Sequence, residues 1–466
     1  MLFSSITFLY YFLPLVLILY FAAPKPLKNV VLLLVSLFFY AWGEPKCVFL
    51  MLGTIIFNYV FGILIEKAKT QQAKKIYLTI SVIGTLSGLL YFKYAGFFVE
   101  NFTAITGISA PALNIALPIG ISFYTFQILS YSVDVYRGEV PAQKNIITLA
   151  TYISLFPQLI AGPIVRYKDV AAQLVKRSHS FESASIGIRR FIVGLGKKVL
   201  IANTLGELCQ AFYATQDTSV MFYWLFAVCF TLQIYFDFSG YSDMAIGLGK
   251  IFGFDFLENF RYPFISKSLS EFWRRWHISL GSWFRDYVYF PMGGSRVKKP
   301  KLIFNLFVVW FLTGFWHGAE WNFVLWGLFF FVFLTLEKLF LTKPLEKSKI
   351  LARIYTLFFI TISFMIFSGN NAQEAFSLVG GLFGAGGIPL TSAEALYQLR
   401  NYGVLVIIAI VGATPLPSKI YQYLKSKKAT SFFVDIAEII ILLLILISVT
   451  AFLADGSFNP FLYFRF

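Results

Sequence analysis

Charge is scarce in this sequence. Asp, Glu, Lys and Arg make up 13% of its 466 residues, about half the share of a soluble domain. Cysteine and histidine are rarer still, at three each. Cys47, Cys209 and Cys229 show no CxxC spacing and lie in or beside apolar runs. They read as core thiols, which argues against a disulfide framework or a thiolate metal site. Three histidines so far apart support a catalytic zinc only weakly, since that metal needs three protein ligands. There is no HExxH spacing, and GLGKIFG at 247–253 lacks the Lys–Ser/Thr ending of a phosphate loop. No broad soluble basic region is present to hold nucleic acid. The amino terminus, MLFSSITFLYYFLPLVLILYF, has neither a charged leader nor a small-residue cleavage signature. It reads as a retained first span and not as a signal peptide.

What the chain has instead is apolar length. Hydrophobic residues make up 58% of the sequence, and apolar runs recur from residue 6 to residue 453. A bilayer core needs roughly 20 such residues per helix. Spans are expected near 6–22, 29–43, 48–65, 76–92, 116–134, 220–238, 302–319, 322–340, 352–368, 402–416 and 433–453. The stretch 146–165 carries Pro157 and the Gly162, Pro163 pair, so it is expected to be broken or re-entrant. Residues 260–300 are too charged for a span and too aromatic for a solvent loop, and are expected to lie at the interface. The fold class is therefore an all-α polytopic membrane protein, one integral domain over 1–466 with about 11–13 membrane helices plus re-entrant and interfacial pieces.

The net charge of +16 fits this class, because Lys and Arg collect in cytoplasmic loops. Placing 66–75, 166–200, 343–349 and 419–428 inside puts the amino terminus, 369–395 and the carboxyl tail outside. Localisation is expected in the cytoplasmic membrane, multi-pass, with both termini external.

Residues 233–326 hold two of the three histidines, His277 and His317, each directly after a tryptophan. An imidazole among apolar residues is costly unless paired, and inside a membrane it is a functional candidate. For His317, WHGAEWN reads either as a span terminus with an aromatic belt or as a base that takes a proton from an attacking hydroxyl. For His277, the neighbours Arg274, Arg275, Arg285 and Asp286 suggest an interfacial helix with local ion pairs, or a place for the phosphates of a donor such as coenzyme A. His179, in RSHSFES, reads as a surface residue.

Several long motifs, in order, then carry a resemblance. They run from MLFSSITFLYYFLPL through NVVLLLVSLFFYAWGEP, LPIGISFYTFQILSYSVDVYRGEVPA and FPQLIAGPIVRYKD. They are densest in QIYFDFSGYSDMAIGLG, ENFRYPFISKSLSEFWRRWHISLGSWFRDYVYFPMGG and WHGAEWNFVLWG. On these the chain resembles the membrane-bound O-acyltransferases, in the branch with alginate O-acetylases and peptidoglycan O-acetylation membrane proteins. The resemblance implies that family's fold, with a catalytic core at about 116–340 around a central tunnel, and an external tail at 455–466. It implies His317 as the catalytic histidine and His277 as a second one near the donor path. Arg274, Arg275, Asp237, Tyr241, Asp243 and Trp316 fall on the same motifs in supporting roles. The donor implied is acetyl-CoA, with no tightly bound cofactor and no metal. The acceptor is an extracytoplasmic polysaccharide, reached through a separate SGNH-type partner. D-alanyl transfer toward teichoic acid is the alternative within the class, and a non-enzymatic transporter subunit the alternative outside it. The final residues, Phe461, Leu462, Tyr463, Phe464, Arg465 and Phe466, resemble the aromatic carboxyl-terminal motif of a D-alanylation accessory protein, which implies Tyr463 as an acyl relay. An interfacial aromatic anchor is the other reading of that tail.

Overall fold

A computed structural model describes residues 1–108, 111, 113, 115–456 and 458–460. All regular structure among the described residues is helical. Seven of these helices are long and apolar enough to cross a bilayer: Cys47–Lys67, Gln71–Thr106, Val220–Ile251, Trp321–Lys347, Lys349–Ser368, Ala393–Gly412 and Lys428–Ala454. The protein is a multi-pass membrane protein. Other expected spans form shorter helices, among them Lys28–Ala41, Ile121–Arg137 and Lys299–His317. Contacts divide the chain into two compact units, Met1–Phe191 with Met244–Leu257, and Ile192–Asp243 with Glu258–Phe466.

In the first unit, Ile121–Arg137 is buried along almost its whole length. Some of its polar groups find partners within the unit. Ser132, Ser81, Asn58 and Thr85 join it to Cys47–Lys67 and Gln71–Leu89, with Ser81 donating to Asn58 Oδ1 at 2.7 Å and Asn58 donating to Thr85 at 2.9 Å. Interhelical hydrogen bonds of this kind are the polar glue of apolar bundles. The helix begins after Gly120 at φ 74°, where a Cβ would stand 2.7 Å from the Leu159 carbonyl oxygen. Only glycine meets both the left-handed backbone and the close approach.

The stretch 146–165 breaks as expected, into Ile146–Ser154 and Phe156–Leu159. Its non-helical backbone is wholly inside protein. Phe156 N–H donates to Ser36 Oγ at 3.1 Å, and Tyr152 OH donates to the Val165 carbonyl at 2.9 Å. Those bonds replace the ones the break removes, which is the condition for irregular backbone at membrane depth.

In the second unit, Lys299–His317 and Trp321–Leu336 form a tight hairpin. A Cβ on Gly314 would lie 2.4 Å from the Phe323 carbonyl oxygen, and one on Gly327 would lie 2.4 Å from that of Trp310. The facing glycines let the two backbones touch, as small residues do in membrane helix pairs. Residues 260–300 form only short helices, Leu269–Trp273 and Ile278–Phe284 among them.

One expectation is corrected here. Lys198 was placed with the cytoplasmic surface segment 166–200, but it is 1% exposed and pairs with Asp237 at 2.6 Å. A buried ammonium needs such a carboxylate to offset its lost hydration. The pairing could not be seen because the two residues belong to different helices.

Candidate active site

Within the second unit, the segment around 259–261 crosses the segment around 275–278. Arg261 N–H donates to the Arg275 carbonyl at 2.9 Å, and Ile278 N–H to the Asn259 carbonyl at 3.0 Å. The short helix Leu269–Trp273 between them is capped twice. Ser268 Oγ accepts from Glu271 N–H, and the buried Glu337 carboxylate accepts from Leu269 at 2.7 Å and Ser270 at 3.0 Å. This frame holds His277 at φ 45°, left-handed backbone that non-glycine residues rarely adopt. Strain of this kind persists only where the surroundings impose it.

The hydrogen bonds of Asn259 then determine the state of His277. Ser279 N–H, which can only donate, meets Asn259 Oδ1 at 3.1 Å, and Ser279 Oγ meets the same oxygen at 2.9 Å. The atom is therefore the carbonyl oxygen of the amide. His277 Nδ1, 3.2 Å from it, must carry the proton. In the neutral ring that leaves Nε2 with the lone pair, buried and without a hydrogen-bond partner among the described residues. The residue is 2% exposed, and burial pushes its pKa down to about 3. His277 lies between two short helices, outside the seven spans. Its folded-state value lies below the usual 6.5 or so, so neutral His277 costs stability only as pH falls below that value, and costs nothing above it.

His277 borders a cavity of about 260 Å³ that Trp273, Arg274, Arg285, Trp310 and Thr313 also line. The two arginines of the Arg274, Arg275 pair have separate tasks. Arg275 is tied to Glu271 at 2.8 Å and to the Arg261 carbonyl, whereas Arg274 is exposed, makes no ion pair among the described residues and lines the cavity. Arg285 pairs with Asp286 at 2.7 Å.

His317 ends the helix Lys299–His317 and is half-buried. Its ring lies 4.9 Å from Trp316, 5.0 Å from Trp326 and 5.3 Å from Phe367, centre to centre. Trp316 is also 6.1 Å from the His277 ring. The same indole thus stands beside both imidazoles, and the hairpin glycines bring Trp326 onto His317. Two histidines forty residues apart in sequence come to one aromatic cluster.

Of the other expected residues, Asp237 and Asp243 pair with lysines, Asp243 with Lys197 at 2.7 Å. Tyr241 is buried on the same helix, and its neighbour Phe238 packs edge-on against His277 at 4.7 Å. These residues brace the helix Val220–Ile251 and stand one step from the imidazole. Tyr463 and Arg465 lie outside the described residues. The chain just before them is held: Pro460 carbonyl accepts from Lys198 Nζ, and Asn459 Oδ1 accepts from Asn203 at 3.1 Å. His179 is exposed, yet its Nε2 bonds the Tyr20 hydroxyl at 2.9 Å. Asn259, Ser279 and Glu337 were not singled out from the sequence. Asn259 stands inside ENFRYPF, but nothing in that string shows which side chain its amide meets.

Residues 137–378 match the family model described as MBOAT, membrane-bound O-acyltransferase family. The chain is also 38% identical to a probable alginate O-acetylase AlgI of Azotobacter vinelandii, with 100% of both chains covered. The chain belongs to the membrane-bound O-acyltransferase family. The acyltransferase is further similar to a probable alginate O-acetylase AlgI of Pseudomonas aeruginosa, at 42% identity over 83% of this chain and 75% of the relative. A peptidoglycan O-acetyltransferase of Helicobacter pylori is 33% identical over 84% of this chain and 81% of the relative.

The acyltransferase's Asn259 yields a direct prediction. Asn259→Ala frees the His277 ring and is expected to lower kcat by about tenfold or more, the worth of one charge-free buried hydrogen bond or somewhat over it. KM for the donor should change little, and Asn259→Asp, which keeps an acceptor oxygen, should restore most of the rate. In a His277→Gln background, adding Asn259→Ala should cost nothing further. A full additional loss there would mean that Asn259 serves folding alone.

Proposed function

We propose that this acyltransferase takes an acetyl group from cytoplasmic acetyl-CoA and passes it across the membrane for O-acetylation of an extracytoplasmic polysaccharide. The reading takes its acyl group and acceptor class from the alginate and peptidoglycan O-acetylating relatives. The observation that carries the site is the pairing of Arg274 and Arg285 with neutral His277 around one cavity, with His317 across Trp316 from it. Exposed guanidinium groups suit the phosphates of coenzyme A. A buried neutral imidazole with Nε2 unprotonated accepts a hydrogen bond without first having to lose a proton. His317 is assigned the general base. It removes the proton of an attacking hydroxyl, the oxygen adds to the thioester carbonyl, and the tetrahedral intermediate expels the coenzyme A thiolate, which takes up the proton. A dry aromatic surround limits hydrolysis of the acyl group during transfer.

The whole chain is taken to act as one acyltransferase domain, since the family match at 137–378 includes residues of both compact units. The termini and 369–395 are assigned to the outside, where an SGNH-type partner would complete delivery to the polymer. Arg274→Gln tests the donor. It is expected to raise KM for acetyl-CoA by about tenfold, one charge-assisted hydrogen bond, with kcat nearly kept. Turnover that requires an acyl group loaded on a carrier protein, and ignores acetyl-CoA, would overturn the donor assignment in favour of D-alanyl-type chemistry.

A further inference from the structure

In the first unit, a separate cavity of about 280 Å³ is lined by Lys25, Lys28, Asn29, Lys176, Arg177 and His179. Its side chains belong to two stretches, 25–29 and 174–179, that Asn29 ties together by donating to the Leu174 carbonyl at 2.9 Å and accepting from Arg177 at 2.8 Å. Four cations and an imidazole converge there, and none of the five makes an ion pair among the described residues. Arg177 is further constrained, with its Cζ 4.7 Å from the centre of the Phe254 ring and its Nη1 buried without a hydrogen-bond partner. Lys28 Nζ lies over the Tyr20 ring at 4.5 Å. The Tyr20 hydroxyl donates to the Phe252 carbonyl at 2.9 Å, so His179 Nε2 must donate to that hydroxyl, and the histidine is fixed as well.

Like charges held this close repel. Burial and then the Arg177 and Lys25 charges lower the pKa of Lys28, and burial followed by Lys28 and Arg177 lowers that of His179. A surface free of function would let such side chains turn away into water. Here tyrosine, phenylalanine and asparagine hold several of them around a hollow.

We propose that this cavity is a binding site for a phosphate group, that of an anionic phospholipid headgroup or of a free phosphate ester. Both present the same oxyanion to the same donors, and guanidinium and ammonium groups are its usual partners. The rim favours the lipid source. Val175 in the lining is 81% exposed, and Phe21, which packs against His179 and lies under Lys28 Nζ at 5.3 Å, is 49% exposed. Apolar side chains next to a basic hollow match a headgroup with acyl chains attached. The site shares no residue with the cavity at His277 and does not depend on the donor assignment.

The test uses the full-length protein in a nonionic detergent and reads its thermal unfolding midpoint. Three additions are compared at matched ionic strength: phosphatidylglycerol mixed micelles, phosphatidylcholine mixed micelles, and sodium phosphate against chloride. Phosphatidylglycerol is expected to raise the midpoint by a few degrees, on the order of a ligand present well above its dissociation constant. Phosphatidylcholine should not. An equal rise with millimolar phosphate would identify a free anion as sufficient. The variant Lys25→Gln/Lys28→Gln/Lys176→Gln keeps Arg177 and its packing. It should lose the rise while matching or exceeding the wild-type midpoint without anion, because the repulsion is gone. A merely structural role for the lysines would instead lower that midpoint. If the triple variant does not accumulate, Lys176→Gln alone, at an exposed side chain, should reduce the rise. The proposal is overturned if phosphatidylglycerol and phosphate act no differently from phosphatidylcholine and chloride, or if the variants retain the full rise.

Discussion

Replacing His317 with alanine is expected to abolish acetyl transfer nearly completely while the protein still inserts in the membrane. Loss of general-base action costs about 100- to 10,000-fold in rate. The residue ends the helix Lys299–His317 and is half-buried, so truncation leaves the gap at the edge of its aromatic cluster and not deep in the core. The hairpin itself depends on Gly314 against Gly327, two contacts the mutation does not touch. Expression should therefore hold while activity falls, and His317→Gln should be as inactive although it fills the space. The measurement is acetyl release from labelled acetyl-CoA, together with polymer acetylation in cells and membrane protein level. Near-wild-type acetylation with normal protein level would return His317 to the reading of a span terminus ringed by tryptophan.

The second large effect is expected at Tyr463. Tyr463→Phe removes one hydroxyl and keeps the ring, so an interfacial anchor would be unaffected while a relay would stop. A phenol has a pKa of about 10 and is a poor nucleophile at neutral pH unless a base takes its proton. Once acylated, the phenyl ester is a better leaving group than an alkyl ester, which suits onward transfer to a partner's serine. The chain leading to this tail is fastened at Pro460 to Lys198 and at Asn459 to Asn203, and Lys198 in turn pairs with Asp237. Transfer should cease in Tyr463→Phe with partner assembly intact. Intact-mass measurement of the wild type with acetyl-CoA and no acceptor should show one added acetyl group, absent in the variant. Full polymer acetylation by the variant would exclude the relay and leave the acceptor hydroxyl to be activated directly.

Apolar length alone determined the class. Runs that no soluble core could accommodate had to become membrane helices, and the long ones at 48–65, 220–238, 352–368 and 433–453 formed near where they were expected. Proline and glycine at 157, 162 and 163 marked the broken segment, because a ring without an N–H and a residue without a Cβ act locally. The WHGAEWN and FWRRWH strings marked the two histidines for the same reason: their oddity is visible within a few residues.

Other features required the tertiary structure, because they depend on partners distant in the chain. Which nitrogen of His277 holds a proton follows from Asn259 eighteen residues earlier and from a Ser279 N–H that can only donate, and its neutrality follows from burial by the surrounding fold. The burial of Lys198 follows from Asp237 on another helix. Arg274 and Arg275 are identical letters side by side, and the Arg261 carbonyl fourteen residues earlier joins Glu271 in holding Arg275, while Arg274 lines the cavity. The convergence of Lys25 and Lys28 with Lys176 and Arg177 joins two basic stretches that the sequence keeps about 150 residues apart, as cations around one hollow. Periodicity and local motif are properties of neighbouring residues and can be read from the sequence, whereas protonation state, ion pairing and cavity lining are set by whichever group the fold brings within about 3–4 Å.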